Sequence, residues 1–309
     1  MLTRRSFVTN AIGAGAVLAA PGSHEAAAQV DRRMIVDAQV HLWKAESLDW
    51  KWVPGIQPQL PEPFTIERLV TMMDEAGVDR AVIVPPSWPG DRNDYGLEAA
   101  KRYPSRFRVM GRIPLQNPKS ADLLPKWKDQ QGMLGVRVTF STAQNIPWLT
   151  DGTANWFWPA AEKAGLPVMC YAPGYTSLLG PIAERHPRLT LILDHMGTNA
   201  AMLKDYKLDQ AIGETVALAK YPNVSVKVSS SPGLSREPYP FRDVAVHLKR
   251  VFDAYGPQRS YWGTDLTNSY AKASYRQRIT HFTEELSFLS ESDKDWVMGR
   301  AIMQRLKWS

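Results

Sequence analysis

The amino-acid sequence predicts a single α/β domain, a distorted (β/α)8 TIM barrel with a long loop after the first strand. Eight short apolar segments recur along the chain, and helical patterns separate them. Strands that alternate with helices imply a parallel sheet buried on both faces, and eight such units close naturally into a barrel. The main alternative is an open doubly wound sheet. No G-x-G-x-x-G segment follows the first strand, which counts against that alternative.

The eight predicted strands run from "MIVDAQVHLW" to "SYWGTDLT". Each is a short run rich in β-branched or aromatic residues, bounded by turn residues or by a helical pattern. In chain order they cover residues 34–43, 80–87, 107–113, 134–140, 166–173, 189–197, 223–231 and 260–267.

Three of the intervening helices carry start or stop signals in the sequence. In "FTIERLVTMMDEAG", Thr65 is placed as the N-cap and Gly77 as the residue that ends the helix. The segments "WFWPAAEKAG" and "DVAVHLKRVFDAYG" end in the same way, at Gly165 and Gly256. The connection at residues 44–63 is rich in Trp and Pro and has no periodicity, so we expect a structured loop that roofs a pocket at the active-site end of the barrel.

The N-terminus has the pattern of a twin-arginine signal peptide. "TRRSFV" is followed by a short uncharged run, and Ala26-x-Ala28 suits a signal peptidase. We therefore expect cleavage after Ala28, export of the folded protein by the twin-arginine translocase, and a periplasmic location. The remaining residues, 29–309, are expected to form the barrel domain, with no membrane attachment after cleavage.

Composition narrows the choice of partners. The formal net charge is +6, and removal of Arg4, Arg5 and Glu25 with the signal lowers it to +5. The chain has no block of five like charges and no basic residues interleaved with aromatic ones, so a nucleic acid is not expected, whereas a small anionic substrate is. A single cysteine, Cys170, excludes a disulfide within the chain. A homo-oligomer remains open.

Residues that could carry chemistry cluster at the strand ends, where barrel active sites lie. Because side chains alternate along a strand, Asp37, Gln39 and His41 are predicted to share the interior face of the first strand. On the sixth strand the same test selects His195 and turns Asp194 the other way. The other strand-end candidates are Arg112, Arg137, either Tyr171 or Cys170, Lys227 and Asp265.

Each candidate also has a simpler structural explanation. A strand-end histidine taken alone is more often a hydrogen-bonded core residue, Asp265 could equally cap the following turn, and Cys170 is most simply a small buried hydrophobe. Arg137 and Lys227 are cations inside strand patterns, where an unpaired charge is costly, so each needs a carboxylate or a substrate as partner. What favours function is that all these residues fall at the same end of the strands.

The segments "VDAQVHLW", "GVR", "LDHMG", "VKVSS" and "WGTDLT" resemble the amidohydrolase superfamily, in particular its amidohydrolase-related (amidohydrolase 2) branch of aromatic-acid decarboxylases and lactonases. The match runs in order through the chain after the signal and implies the distorted barrel. The sequence departs from the family pattern in two ways that concern a metal. Gln39 stands where the family has the first histidine of a His-x-His pair, and "VMCYAP" lacks a fifth-strand histidine.

The resemblance implies a hydrolase that opens a lactone or related cyclic ester of a carboxylated small molecule. Asp265 would be the general base on water, with His41 and His195 polarising the carbonyl and Gln39 donating a hydrogen bond. The expected substrate-binding residues are Arg137, Lys227, Tyr171, Arg112 and Trp43.

Three alternatives stay open. In the first, Gln39, His41, His195 and Asp265 bind one divalent cation, Zn²⁺ or Mn²⁺, although an amide is a weak ligand and a metal-free site is favoured. In the second, the protein is a metal-dependent decarboxylase of an aromatic or unsaturated acid. In the third, it is a catalytically silent periplasmic binding barrel, against which the retained Asp265 argues.

Overall fold

The structure, a computed structural model, describes residues 32–204 and 207–309. The predicted signal peptide lies outside the described residues. Within the described part of the chain, no helix combines the length and the apolarity needed to cross a membrane.

The described strands confirm the predicted barrel. Eight strands pair in chain order, each parallel to the next, and helices connect them. Every strand lies at a position that the sequence predicted. They are β1 (Val36–Val40), β2 (Arg80–Ile83), β3 (Phe107–Gly111), β4 (Met133–Thr139), β5 (Val168–Tyr171), β6 (Leu191–Leu193), β7 (Val224–Ser229) and β8 (Ser260–Gly263).

The helices end where the sequence places the stop signals. Thr65 Oγ1 accepts a hydrogen bond from Arg68 N at 3.2 Å, and Gly77 adopts a left-handed conformation with φ 79°. The α-helices are α1 (Ile66–Ala76), α2 (Asp94–Arg102), α3 (Phe157–Lys163), α4 (Gly180–Arg185), α5 (Leu208–Ala217), α6 (Arg242–Tyr255), α7 (Tyr275–Thr280), α8 (Glu291–Asp295) and α9 (Ala301–Leu306).

Two apolar clusters hold this arrangement together. The larger one lies between the strands and the surrounding helices. The smaller one is the barrel interior, where residues such as Val36, Met110 and Ile192 meet, and the C-terminal Trp308 packs in the same cluster as these strand residues. With the lower interior filled by apolar side chains, the polar chemistry is confined to the C-terminal ends of the strands.

The first strand contains an irregularity that changes which side chains face inward. Asp37 pairs with Ala81 but Val40 pairs with Ile83, so β1 contains one more residue than β2 between these two pairs. Such a bulge shifts the side-chain alternation by one position. Two consecutive residues, Ala38 and Gln39, consequently both face the interior. The prediction that Asp37 shares the face of Gln39 and His41 is therefore wrong.

Asp37 instead joins β1 to β8. Its carboxylate accepts hydrogen bonds from the backbone N–H of Gln39 at 3.0 Å and of Thr264 at 2.8 Å. It also accepts from Thr264 Oγ1 at 2.5 Å and from the Tyr275 hydroxyl at 2.8 Å. Burial raises the pKa of Asp37, and these four bonds oppose that rise. The side chain therefore satisfies backbone donors at the seam where the barrel closes.

Candidate active site

Asp265 lies between two histidines at the C-terminal end of the barrel. Its Oδ1 is 3.2 Å from His41 Nε2, and its Oδ2 is 3.7 Å from His195 Nε2. Ser230 Oγ and Asn268 Nδ2 donate to Oδ2 at 3.2 and 3.0 Å. Burial alone would raise the pKa of Asp265, but the two histidines and Asn268 lower it well below its ordinary value. The carboxylate is therefore ionised at neutral pH, and the structure brings together three residues that the sequence placed on separate strands.

The hydrogen bonds of His41 define its neutral form. Its Nδ1 lies 2.6 Å from the carbonyl oxygen of Val84, which can only accept, so the ring proton is on Nδ1. The lone pair on Nε2 then faces Gln39 Nε2 at 3.2 Å, and the amide donates to it. In this form the Nε2 lone pair lies 3.2 Å from Asp265 Oδ1, so the hydrogen bond and the charge through which His41 lowers the pKa of Asp265 belong to the protonated form of His41. His41 can donate to Asp265 or to a substrate only after it has taken up a proton.

His195 has the complementary form. Its Nδ1 is 2.7 Å from Ser229 Oγ, while its Nε2 faces Asp265, so the ring proton is best placed on Nε2 and the serine hydroxyl donates to Nδ1. Burial lowers the pKa of His195 against the opposing effect of the nearby carboxylates, and the ring is neutral near pH 7. His195 is thus a neutral donor aimed at the region around Asp265.

A left-handed turn after β6 brings His195 into the interior beside Asp194. His195 and Met196 have φ values of 51° and 55°. A Cβ at the next residue, Gly197, would lie 2.4 Å from Thr176 Cγ2, so the turn needs glycine there. Asp194 shares the face of Ile192, which lies in the barrel interior, so the prediction that Asp194 points away is wrong.

Asp194 is the site residue that sequence reasoning missed. It is fully buried and pairs with Arg137 Nε at 3.1 Å and with Lys227 Nζ at 2.6 Å. Burial would raise its pKa, but Lys227 and Arg137 lower it. The signal available in the sequence was the need of two strand-borne cations for a carboxylate partner.

Lys227 has no exposed surface. Besides Asp194, its ammonium contacts Gln39 Oε1 and lies 3.1 Å from Met169 Sδ. Burial lowers its pKa, and Asp194 opposes the shift. This position favours a role other than the substrate contact predicted from the sequence.

Arg137 and Arg112 lie near enough for their charges to interact. The Arg137 guanidinium donates through Nη1 to Thr139 Oγ1 at 2.6 Å and lies over the Tyr171 ring at 5.1 Å. Arg112 donates through Nε to Asp91 at 3.3 Å, but its buried Nη1 has no hydrogen-bond partner among the described residues. Burial and the charge of Arg137 lower the pKa of Arg112 to about 10. Two neighbouring guanidinium groups with N–H donors to spare are suited to an anion.

The remaining candidates are aromatic or apolar. Tyr171 lies beside Arg137 and meets the His195 ring edge-on at 5.4 Å, and burial raises its pKa to about 12. Cys170 belongs to the outer apolar cluster, so Tyr171 is the fifth-strand residue at the site. Trp43 has no exposed surface and stacks on Phe64 at 5.7 Å, and its contact with a substrate stays a prediction.

The amide of Gln39 decides how well a metal would fit. Its oxygen accepts from Lys227 and its nitrogen faces His41, so a cation bound there would meet an N–H group and an ammonium. Among the described residues, no group of three or more His, Cys, Asp or Glu side chains has an arrangement that could hold a metal ion. The predicted set of Gln39, His41, His195 and Asp265 therefore does not fit a divalent cation in this arrangement.

A comparison with known families agrees with the barrel fold. The Amidohydrolase family model matches residues 36–302. The chain belongs to this family. L-fucono-1,5-lactonase from Burkholderia ambifaria is 26% identical over 243 residues, covering 74% of this chain and 79% of the relative. 4-Sulfomuconolactone hydrolase from Hydrogenophaga intermedia is 28% identical over 219 residues, covering 68% of this chain and 67% of the relative.

A solved amidohydrolase from Burkholderia multivorans, with bound zinc, shares the fold with a TM-score of 0.74 at 20% identity, covering 89% of this chain and 99% of that one. Family membership and the two lactone-hydrolysing relatives support hydrolase activity for this chain.

Proposed function

We propose that this protein hydrolyses a lactone, or a related cyclic ester, of a carboxylated small molecule without using a metal. The observation that carries the proposal is the ionised Asp265 carboxylate, held 3.2 Å from His41 and 3.7 Å from His195. An ionised carboxylate beside two ring nitrogens is able to accept a proton from water and pass it on. The lactone-hydrolysing relatives support the same substrate class.

The reaction begins with water. Asp265 removes one proton as the water oxygen attacks the carbonyl carbon of the lactone. The N–H groups of His195 and Gln39 stabilise the negative charge that develops on the carbonyl oxygen. The proton moves from Asp265 to the lone pair on His41 Nε2, where it replaces the hydrogen bond from Gln39.

Ring opening completes the cycle. The ring C–O bond breaks, the protonated His41 gives its proton to the leaving oxygen, and the new carboxylic acid releases a proton to solvent. His41 thus acts on the leaving group, whereas the sequence had placed it on the carbonyl, because its neutral form has a lone pair at Nε2.

An anionic group of the substrate binds at Arg137 and Arg112. The Arg137 guanidinium is close to His195, since Tyr171 contacts both residues. Arginine holds a carboxylate with two parallel hydrogen bonds, which orients the ring as well as binding it. Binding of the substrate carboxylate in this way orients the lactone carbonyl toward Asp265.

A panel of carboxylated lactones tests the proposal, with acid release followed by titration. We expect turnover that survives a chelator and falls by about 10²- to 10⁴-fold in Asp265→Asn. Asp253→Asn, at an exposed carboxylate on α6, is the matched control and should retain full activity.

A lactone that raises the melting temperature without being hydrolysed would instead support a binding protein. CO₂ release from hydroxylated aromatic acids would support a decarboxylase.

We also propose that the protein works in the periplasm. The support is the twin-arginine pattern at Arg4 and Arg5. Replacing both arginines by lysine should leave the protein in the cytoplasm of the producing cell, as measured by fractionation and immunoblotting. Unchanged export of the double-lysine variant would contradict this location.

A further inference from the structure

We infer that Lys227 is a positioning residue for catalysis: its buried ammonium orients the Gln39 amide so that the amide N–H faces His41 and the substrate carbonyl. This inference rests on the proposed lactone hydrolysis. It gives a buried cation a role in the site without contact to the substrate.

The orientation of Gln39 follows from the donors of Lys227. An ammonium has three N–H donors and no acceptor. Those of Lys227 face three acceptors, namely Asp194 Oδ1 at 2.6 Å, Gln39 Oε1, and Met169 Sδ at 3.1 Å. A flipped amide would place its NH₂ group against the ammonium. The oxygen of Gln39 must therefore face Lys227.

With its oxygen held by Lys227, Gln39 fixes the state of His41. The amide nitrogen lies 3.2 Å from His41 Nε2, and the opposite ring nitrogen donates to Val84 at 2.6 Å. The imidazole is thus constrained from both sides to keep its lone pair on Nε2. This is the atom that faces Asp265 and that receives the proton in the proposed reaction.

Lys227 also strengthens the Gln39 donor. A positive charge on the oxygen side of an amide draws electron density from the nitrogen, and a buried site screens this effect poorly. The cluster of Lys227, Arg137 and Asp194 contains two positive charges and one negative charge, so it retains one positive charge in excess. That excess favours negative charge on the carbonyl oxygen, in the place where a metal cation does not fit.

A purely structural role for Lys227 makes a different prediction. If Lys227 only neutralised Asp194, its loss would disturb Arg137, the proposed anchor of the substrate anion. The effect would then be a higher KM for carboxylated lactones with kcat preserved. A role through Gln39 lowers kcat instead, since the amide acts on the reacting groups.

A double-mutant cycle separates the two roles, using Lys227→Met, Gln39→Met and the double variant, with Lys249→Met at an exposed position as control. We expect each site variant to lose about 10- to 100-fold in kcat, with KM changed by less than about threefold. The kcat of the double variant should lie within about threefold of the kcat of the less active single variant. Multiplicative losses in the double variant, or a change confined to KM, would overturn the inference.

A measurement without substrate covers the case in which Lys227→Met does not fold. The ¹⁵N chemical shifts of the His41 ring, measured at neutral pH in the wild-type protein, should show a protonated Nδ1 and an unprotonated Nε2. In Gln39→Met the two tautomers should mix. A wild-type His41 with its proton on Nε2 would overturn the inference, whether or not the protein hydrolyses lactones.

Discussion

The Arg137→Lys variant tests whether the arginine that is proposed to bind the substrate anion determines the preference for carboxylated substrates. Arg137 has five N–H donors, of which Nε–H binds Asp194 at 3.1 Å and one Nη1–H binds Thr139 at 2.6 Å. Three donors remain for a carboxylate, enough for a two-point grip. A lysine that kept the contact with Asp194 would have two donors on a single nitrogen, and it could not offer two parallel bonds.

The expected loss follows from that geometry. One charge-assisted hydrogen bond is removed from a side chain with only 7% exposure, so solvent screens it little. Such a bond contributes about 1.5–3 kcal/mol, which corresponds to about 10- to 150-fold in kcat/KM.

A pair of substrates isolates this interaction. The assay compares a carboxylated lactone with the same lactone in which a carboxamide replaces the carboxylate. We expect the preference for the carboxylate to fall by about 10- to 150-fold, while the carboxamide is turned over within about threefold of the wild-type rate. Arg276→Lys, at an exposed arginine on α7, is the control. Equal losses on both substrates would contradict a role of Arg137 in binding the carboxylate, because they would show that Arg137 acts by stabilising the fold.

Three further predictions concern the barrel seam, a buried histidine and the exclusion of zinc. Asp37→Asn should lower the free energy of unfolding in urea by about 2–6 kcal/mol, because an amide has one acceptor oxygen for four donors. A loss below about 1 kcal/mol would contradict the role of Asp37 at the seam. Burial lowers the pKa of His281 to about 4 from 6.5, so the unfolded state binds this proton more readily, and the stability contributed is present above pH 6.5 and lost as the pH falls toward 4. The free energy of unfolding in urea should therefore increase for His281→Phe relative to the wild type by up to about 3 kcal/mol as the pH is lowered from 7.5 to 4. A difference between the two proteins that does not change with pH would exclude this titration. Finally, mass spectrometry should find stoichiometric zinc in Gln39→His combined with Lys227→Met but not in Gln39→His alone, since the ammonium opposes a cation; zinc in the single variant would show that Lys227 does not protect the site.

The strands and helix ends were predictable because their signals are local. Short β-branched segments identify each strand, and a glycine such as Gly77 ends a helix because it adopts a left-handed conformation easily. The gathering of His41, His195 and Asp265 was also predictable, since parallel strands bring their C-terminal ends to one side of a barrel.

The inward positions of Gln39 next to Ala38, and of His195 next to Asp194, were not predictable, because they depend on departures from regular structure. The extra residue in β1 reverses the alternation after Ala38, and the left-handed turn at His195 brings two consecutive side chains to the interior. A period-2 pattern assumes an unbroken strand, so one bulge or one turn inverts its result.

The residues that reach the active end of the barrel can thus be read from the amino-acid sequence, because they depend on the order and position of the strands. Their mutual contacts depend on the folded arrangement. Asp194 pairs with Lys227 and Arg137, and Lys227 in turn holds Gln39, through contacts that join β1, β4, β6 and β7. Those partners are far apart in the chain, and a buried charge accepts whichever opposite charge or dipole the fold brings within reach.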